Sequence, residues 1–148
     1  VKKEEKCMVL VCFYFFIIHL MSSKTITIAY RVATILLALF ILPGLFFMNS
    51  EMAVEGMKHV QLSDAVWLQQ LLGHASPLAI IGILIADFIG SVRALRLKEW
   101  AYAGLSFVYI GAFWAHFQLG DPINSTIMPV VAFAILMVSY FAWHARAK

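Results

Sequence analysis

The stretch Ile28–Phe47, IAYRVATILLALFILPGLFF, decides the fold. After Arg31 it is almost unbroken hydrocarbon. About 20 such residues, rising ~1.5 Å each as a helix, match the roughly 30 Å apolar core of a bilayer. No strict alternation of apolar and polar residues runs through it, which excludes a barrel strand. Helix remains, because hydrocarbon offers a backbone no other partner. Pro43-Gly44 near the far end predicts a kink or a stop.

Three similar segments follow. One runs from about Ala65 to Gly90 with Pro77 inside it, where Ser76 or His74 is placed to satisfy the carbonyl that proline leaves unbonded. The next covers Trp100 to about Gln118. The last covers about Ser125 to His144, with Pro129 expected near its first turn, where a missing N–H costs little. Composition agrees. The chain has 148 residues, 63% hydrophobic and only 13% charged, whereas a soluble domain carries about 25% charged residues. The expected fold is therefore all-α: an integral membrane four-helix bundle in one domain.

The leading segment Val1–Leu20, VKKEEKCMVLVCFYFFIIHL, has a charged start and an apolar run too short for a comfortable span. No small-residue cleavage site follows it. It reads as an extension ahead of a natural start at Met21, with a signal anchor and an additional helix as alternatives. Both cysteines, Cys7 and Cys12, lie here. The helical body thus has no means for dithiol chemistry, thiolate metal ligation or disulfide bonds.

Loop charges predict the orientation. Lys24 and Arg31 flank the start of the first span; Arg93, Arg96, Lys98 and Glu99 lie between the second and third; Arg146 and Lys148 end the chain. The loop after the first span holds Glu51, Glu55 and Asp64 against Lys58, and the loop after the third holds only Asp121. The positive-inside rule then places both termini and the middle loop in the cytoplasm. The basic residues are spent on topology. No basic patch interleaved with aromatics points to nucleic acid. In the first outer loop, Asn49 or Ser50 can cap a short amphipathic helix bearing Ala53, Met57 and Val60 on one side and Glu51, Glu55 and His59 on the other. It is expected to lie on the membrane surface or over the bundle; a solvated connecting helix is the plainer reading.

Few residues inside the spans can carry chemistry. Arg31 and Asp87 each lie about one turn from the cytoplasmic side, so antiparallel neighbours bring them level and predict an ion pair. Snorkelling side chains and a proton relay are the alternatives. His74 and His116, with Trp114 and Tyr109, are the candidates for a quinone or haem site, although the two histidines differ in depth by roughly 10 Å. Glu51, Glu55, His59, Asp64 and Asp121 gather on the outer face as an acidic rim. Their spacing matches no metal motif, so no metal site is assigned. Gly104, Gly111 and Ala115 form a small-residue stripe suited to close helix approach, by packing within the bundle, by self-association or by docking of another membrane subunit. No catalytic residue is assigned.

The run NSEMAVEGMKHVQLSDAVW (Asn49–Trp67) resembles the first outer loop of the DoxX-like membrane proteins. RLKEWAYAGLSFVYIGAFWAHFQLGDP (Arg96–Pro122) is similar to their middle loop, third helix and Gly-Asp-Pro turn, and Leu42-Pro43-Gly44 also fits. The likeness covers residues 21–148, a four-helix transmembrane domain, and omits residues 1–20. It implies a small bacterial inner-membrane protein. The wider family is linked to quinone-reducing thiosulfate oxidation and to membrane assemblies handling oxidative and thiol stress, and no catalytic residue carries over. Relatives often have a lysine in the second helix, and Leu71–Gly90 contains none. The expected function is a non-catalytic subunit or scaffold of a membrane assembly, redox-linked in one version. A quinone- or haem-binding redox component comes second, and a small transporter or lipophilic-ligand-binding bundle third.

Overall fold

A computed structural model of the chain describes residues 22–47, 50–59 and 66–146, and among them every regular element is a helix. The expectations for residues 1–20, Asn49, Val60 and Asp64, and for the Met57 side chain, lie outside the described residues. The helices are α1 Ser23–Ile41, α2 Gly44–Phe47, α3 Glu51–His59, α4 Val66–Ile89, α5 Val92–Leu119 and α6 Ile123–Arg146.

Local chemistry sets the breaks. Pro43 cannot donate the next helical hydrogen bond, so α1 closes on Leu42 N to Ala38 O. The chain then tightens through Leu45 N to Leu42 O and Phe46 N to Pro43 O before α2. Ser50 caps α3, its hydroxyl accepting from Ala53 N at 3.3 Å. Gly90, at φ +61, ends α4, and Ser91 caps α5 by accepting from Ala94 N. Gly120, at φ +69, ends α5 in a Schellman turn in which Asp121 N reaches back to His116 O. Pro129 departs from expectation. Because α6 starts at Ile123, the proline falls in the second turn, buried, and not in the first.

Among the described residues three segments are long and apolar enough to cross a membrane: Ser23–Phe47, Leu71–Ile89 and Ile123–Arg146, with mean hydropathies of 2.1, 1.8 and 1.9. The 28-residue α5 is not among them. Its charged first turns and its tyrosines, tryptophans and glycines lower its hydropathy.

The four long helices form a ring in which α1 packs most closely on α6, α6 on α5 and α5 on α4, while the α1–α4 seam is thinnest. Contacts between the start of α1, the end of α4, the start of α5 and the end of α6 make neighbours antiparallel. The core is a single column of Leu37 and Ile41 from α1, Ile80 and Ile83 from α4, Leu105 and Tyr109 from α5, and Ala132 and Leu136 from α6. The outside is equally apolar. Leu39, Phe40, Phe88, Phe107 and Val131 are among many large hydrophobic side chains left exposed. A water-soluble monomer does not tolerate a belt of that extent; lipid does. The chain is an all-α membrane helical bundle.

Candidate functional site

The sequence buries an ionised network at one end of the ring. Tyr30 lies in the second turn of α1, Asp87 in the last turn of α4 and Lys98 in the second turn of α5. Antiparallel packing brings all three to one level. Lys98 Nζ donates to Asp87 Oδ1 at 2.5 Å and to the Tyr30 hydroxyl at 2.8 Å, and that hydroxyl donates to Asp87 Oδ2 at 2.5 Å. The ammonium also sits over the rings of Trp143, at 4.6 Å, and Tyr30, at 4.7 Å. The Lys98 side chain is 0% exposed and that of Asp87 29%. A charge so enclosed persists only with its counter-charge and hydrogen bonds in place.

One layer deeper, a chain of hydroxyls crosses the bundle. Thr34 Oγ1 donates to Tyr30 O at 2.8 Å, which uses its one hydrogen. Ser139 Oγ, 2.8 Å from Thr34 Oγ1, must therefore donate to it, and the Tyr102 hydroxyl, 2.8 Å from Ser139 Oγ, donates in turn. Trp143 stacks on Tyr102 at 5.8 Å.

This network opens sideways. A cavity of about 380 Å³ lies against Tyr30, Arg31, Thr34 and Ile35 of α1 and Leu84, Asp87 and Phe88 of α4, with Arg146 of α6 at its edge. A second, of about 200 Å³, touches Asp87 and Arg146 from the Gly90 side, with Leu95 and Trp143. Asp87 and Arg146 border both. A third, of about 210 Å³ between α1 and α6, is apolar, lined by residues such as Leu37, Phe40 and Val131.

The expected Arg31–Asp87 pair is not what forms. Asp87 is held by Lys98 and Tyr30, while Arg31 is exposed on the cavity wall. One residue along a helix turns a side chain by about 100°, and the buried α1 stripe Tyr30, Thr34, Leu37, Ile41 leaves Arg31 outside it. Lys98, expected in the loop between the second and third spans, lies inside α5. Its signal was the stripe Ala94, Lys98, Tyr102, Leu105, Tyr109, buried at helical spacing.

The proposed quinone or haem residues do not line any of these three cavities. His74 is exposed on α4, Trp114 is 58% exposed on α5, Tyr109 is buried in the core, and His116 is engaged elsewhere.

That engagement forms a second polar cluster at the opposite end. The Schellman turn sets Asp121 beside His116, with Oδ2 2.6 Å from His116 Nδ1, and Oδ1 lies 2.7 Å from His59 Nε2 on α3. The Asp121 side chain is 8% exposed. Hydrogen bonds from His116 first, and then His59, hold its carboxyl below the ordinary aspartate range. Glu51 and Glu55, expected in the same rim, are exposed on α3. Among the described residues no three His, Cys, Asp or Glu side chains are arranged to hold a metal.

The geometry defines a membrane helix bundle with a charged network at the foot of a lateral cavity. The chain belongs to the DoxX-like family, whose sequence model matches residues 31–139. No curated protein and no solved structure matches it.

Proposed function

We propose that this is a multi-pass protein of the bacterial inner membrane that binds an amphiphilic molecule drawn laterally from the bilayer. The topology rests on chain direction. Helices α4 and α6 both end at the level of the Asp87 network, so the chain must return through α5 between them. If α4 and α6 cross, α5 crosses too, aromatic content notwithstanding. Four passes together with the positive-inside rule support a topology with the Asp87 end on the cytoplasmic side.

The observation that carries the binding role is the 380 Å³ cavity at the thinnest seam of the ring. Apolar Ile35, Leu84 and Phe88 wall it, and a carboxylate and a tyrosine hydroxyl bound it. Concave apolar sites with a few convergent polar groups are the usual form of small-ligand sites. Native mass spectrometry of the detergent-purified chain tests this. Wild type should retain a lipophile that Leu84→Trp, which fills the cavity, does not. Equal retention by both would refute it.

A second reading, a subunit of a membrane assembly, is favoured by the small-residue stripe. Gly104 and Gly111 have open space where a side chain would project, so the stripe is not consumed by packing inside the bundle. Gly104→Leu with Gly111→Leu should then abolish recovery of a stoichiometric partner or second copy from native membranes, and unchanged recovery would remove the support.

A further inference from the structure

The charges around the lateral cavity do not cancel, and we infer from this that its occupant is an amphiphile with an anionic head, a carboxylate or a phosphate, gripped by Arg31 and Arg146. This rests on the binding role proposed above and names its ligand class. Asp87 and Lys98 neutralise each other at 2.5 Å, and the Tyr30 hydroxyl is committed to both. What remains facing the cavity is two guanidiniums, Arg31 on α1 and Arg146 on α6.

Neither has a carboxylate within ion-pair distance among the described residues. Glu99, another carboxylate of this end, lies 3.0 Å from His144. Arg146 is placed across the Tyr30 ring at 4.6 Å, which orients it by a cation–π contact while leaving its donors unused. Two planar forks of donors with no internal anion suit a carboxylate or phosphate, which each can bind in bidentate fashion.

Beyond them the wall turns apolar. Ile35 and Leu84 line the cavity, and Phe88 is 92% exposed. A volume of about 380 Å³ is at the low end for a small-ligand site. It accepts a headgroup and the first part of a chain, the remainder running along Phe88 into lipid.

The test uses the full chain in a neutral-head detergent, with native mass spectrometry against four probes: oleate, dioleoyl phosphatidate, monooleoylglycerol and ubiquinone. Expected is saturable one-to-one binding of at least one anionic probe. Arg31→Gln with Arg146→Gln should weaken it about tenfold or more, while Arg93→Gln, an exposed arginine outside the cavity, leaves it unchanged. Oleate above phosphatidate makes the head a free carboxylate; the reverse makes it a lipid phosphate. Both arginines are exposed, so their loss should not unfold the bundle; Arg146→Lys, keeping charge without the fork, should bind at an intermediate level. Equal binding of neutral and anionic probes, insensitive to the arginine pair, overturns this inference and leaves the cavity reading intact. Anionic binding that never saturates and ignores the variants is annular lipid, and also overturns it. No probe held better by wild type than by Leu84→Trp removes both.

Discussion

Asp87→Leu should damage the bundle far more than Lys98→Met, and the two together should nearly restore it. The asymmetry follows from exposure. Lys98 is wholly enclosed, so losing Asp87 strands an ammonium with one tyrosine hydroxyl and two ring faces. Removing one member of a buried pair costs about 3–5 kcal/mol. Asp87, at 29% exposed and bordering two cavities, keeps the Tyr30 donor and reaches polar surroundings when Lys98 is lost, so about 1–3 kcal/mol is expected. With both replaced by apolar side chains, no charge remains to be desolvated, and stability should fall within about 1 kcal/mol of wild type or exceed it. At about 2–4 °C per kcal/mol for a chain of this size, Asp87→Leu should lower Tm by roughly 6–20 °C. Thermal unfolding in one detergent, read by circular dichroism and by loss of the monodisperse peak, gives all four corners of the cycle. Additive losses, with the double variant the least stable, would show that the two side chains do not interact as described.

Ser139→Ala should cost about 1–3 kcal/mol, because it leaves the Tyr102 hydroxyl without its acceptor and Thr34 without its donor; unfolding midpoints in detergent measure it, and an unchanged midpoint would argue against the ordered hydroxyl chain. Gly120→Ala should cost about 1–2 kcal/mol from its left-handed conformation and should also loosen the Asp121–His59 contact. That contact has a defined pH response. A carboxyl depressed in the folded state contributes stability above its unfolded pKa, about 4, and loses it as pH falls through the lower folded value. With Cys7 and Cys12 replaced by serine, spin labels at Glu55→Cys and Asn124→Cys should report a short, narrow distance distribution at neutral pH that broadens only below about pH 4. Asp121→Asn should give the broad form at every pH, and broadening already at pH 6 in the native sequence would contradict the assignment.

The apolar spans were legible because hydrocarbon leaves no choice of backbone structure and because the breaks carry explicit chemistry: Pro43, Gly90-Ser91 and Gly120-Asp121-Pro122. The site was half legible. Asp87 stands out as a carboxylate within a span, but depth alone points to Arg31 as its partner, and Arg31 is off the buried α1 stripe while Tyr30 is on it. Lys98 is hidden from a hydropathy reading because α5 begins at Val92, two turns before the apolar stretch that starts at Trp100. Helical phase from Tyr102 back to Ala94 would have placed it inside. The Asp121–His116 pairing was implicit in the short Gly-Asp-Pro turn. The arrival of His59, 62 residues away in sequence, was not, because nothing local encodes that approach.

Each end of the bundle carries a polar cluster, yet only one has a physical claim to function. At the Asp121 end the His59 side chain is 59% exposed, and an ion pair with so exposed a partner contributes little and tolerates change; fastening α3 suffices to explain this cluster. At the Asp87 end an ammonium is wholly enclosed, an arrangement that apolar side chains of similar volume would match or better in stability. Stability is therefore a poor reason for it. The same carboxylate borders a cavity that opens between α1 and α4 and carries two guanidiniums that form no ion pair among the described residues. A fixed, neutral Lys98–Asp87–Tyr30 base keeps Asp87 from pairing with Arg31 or Arg146, and so leaves both free for an incoming headgroup. On that argument Lys98→Met should weaken anionic-ligand binding without touching the ligand, because the released carboxylate would compete for the arginines. Binding to Lys98→Met as tight as to wild type, in a variant that remains folded, would separate the buried pair from the binding role.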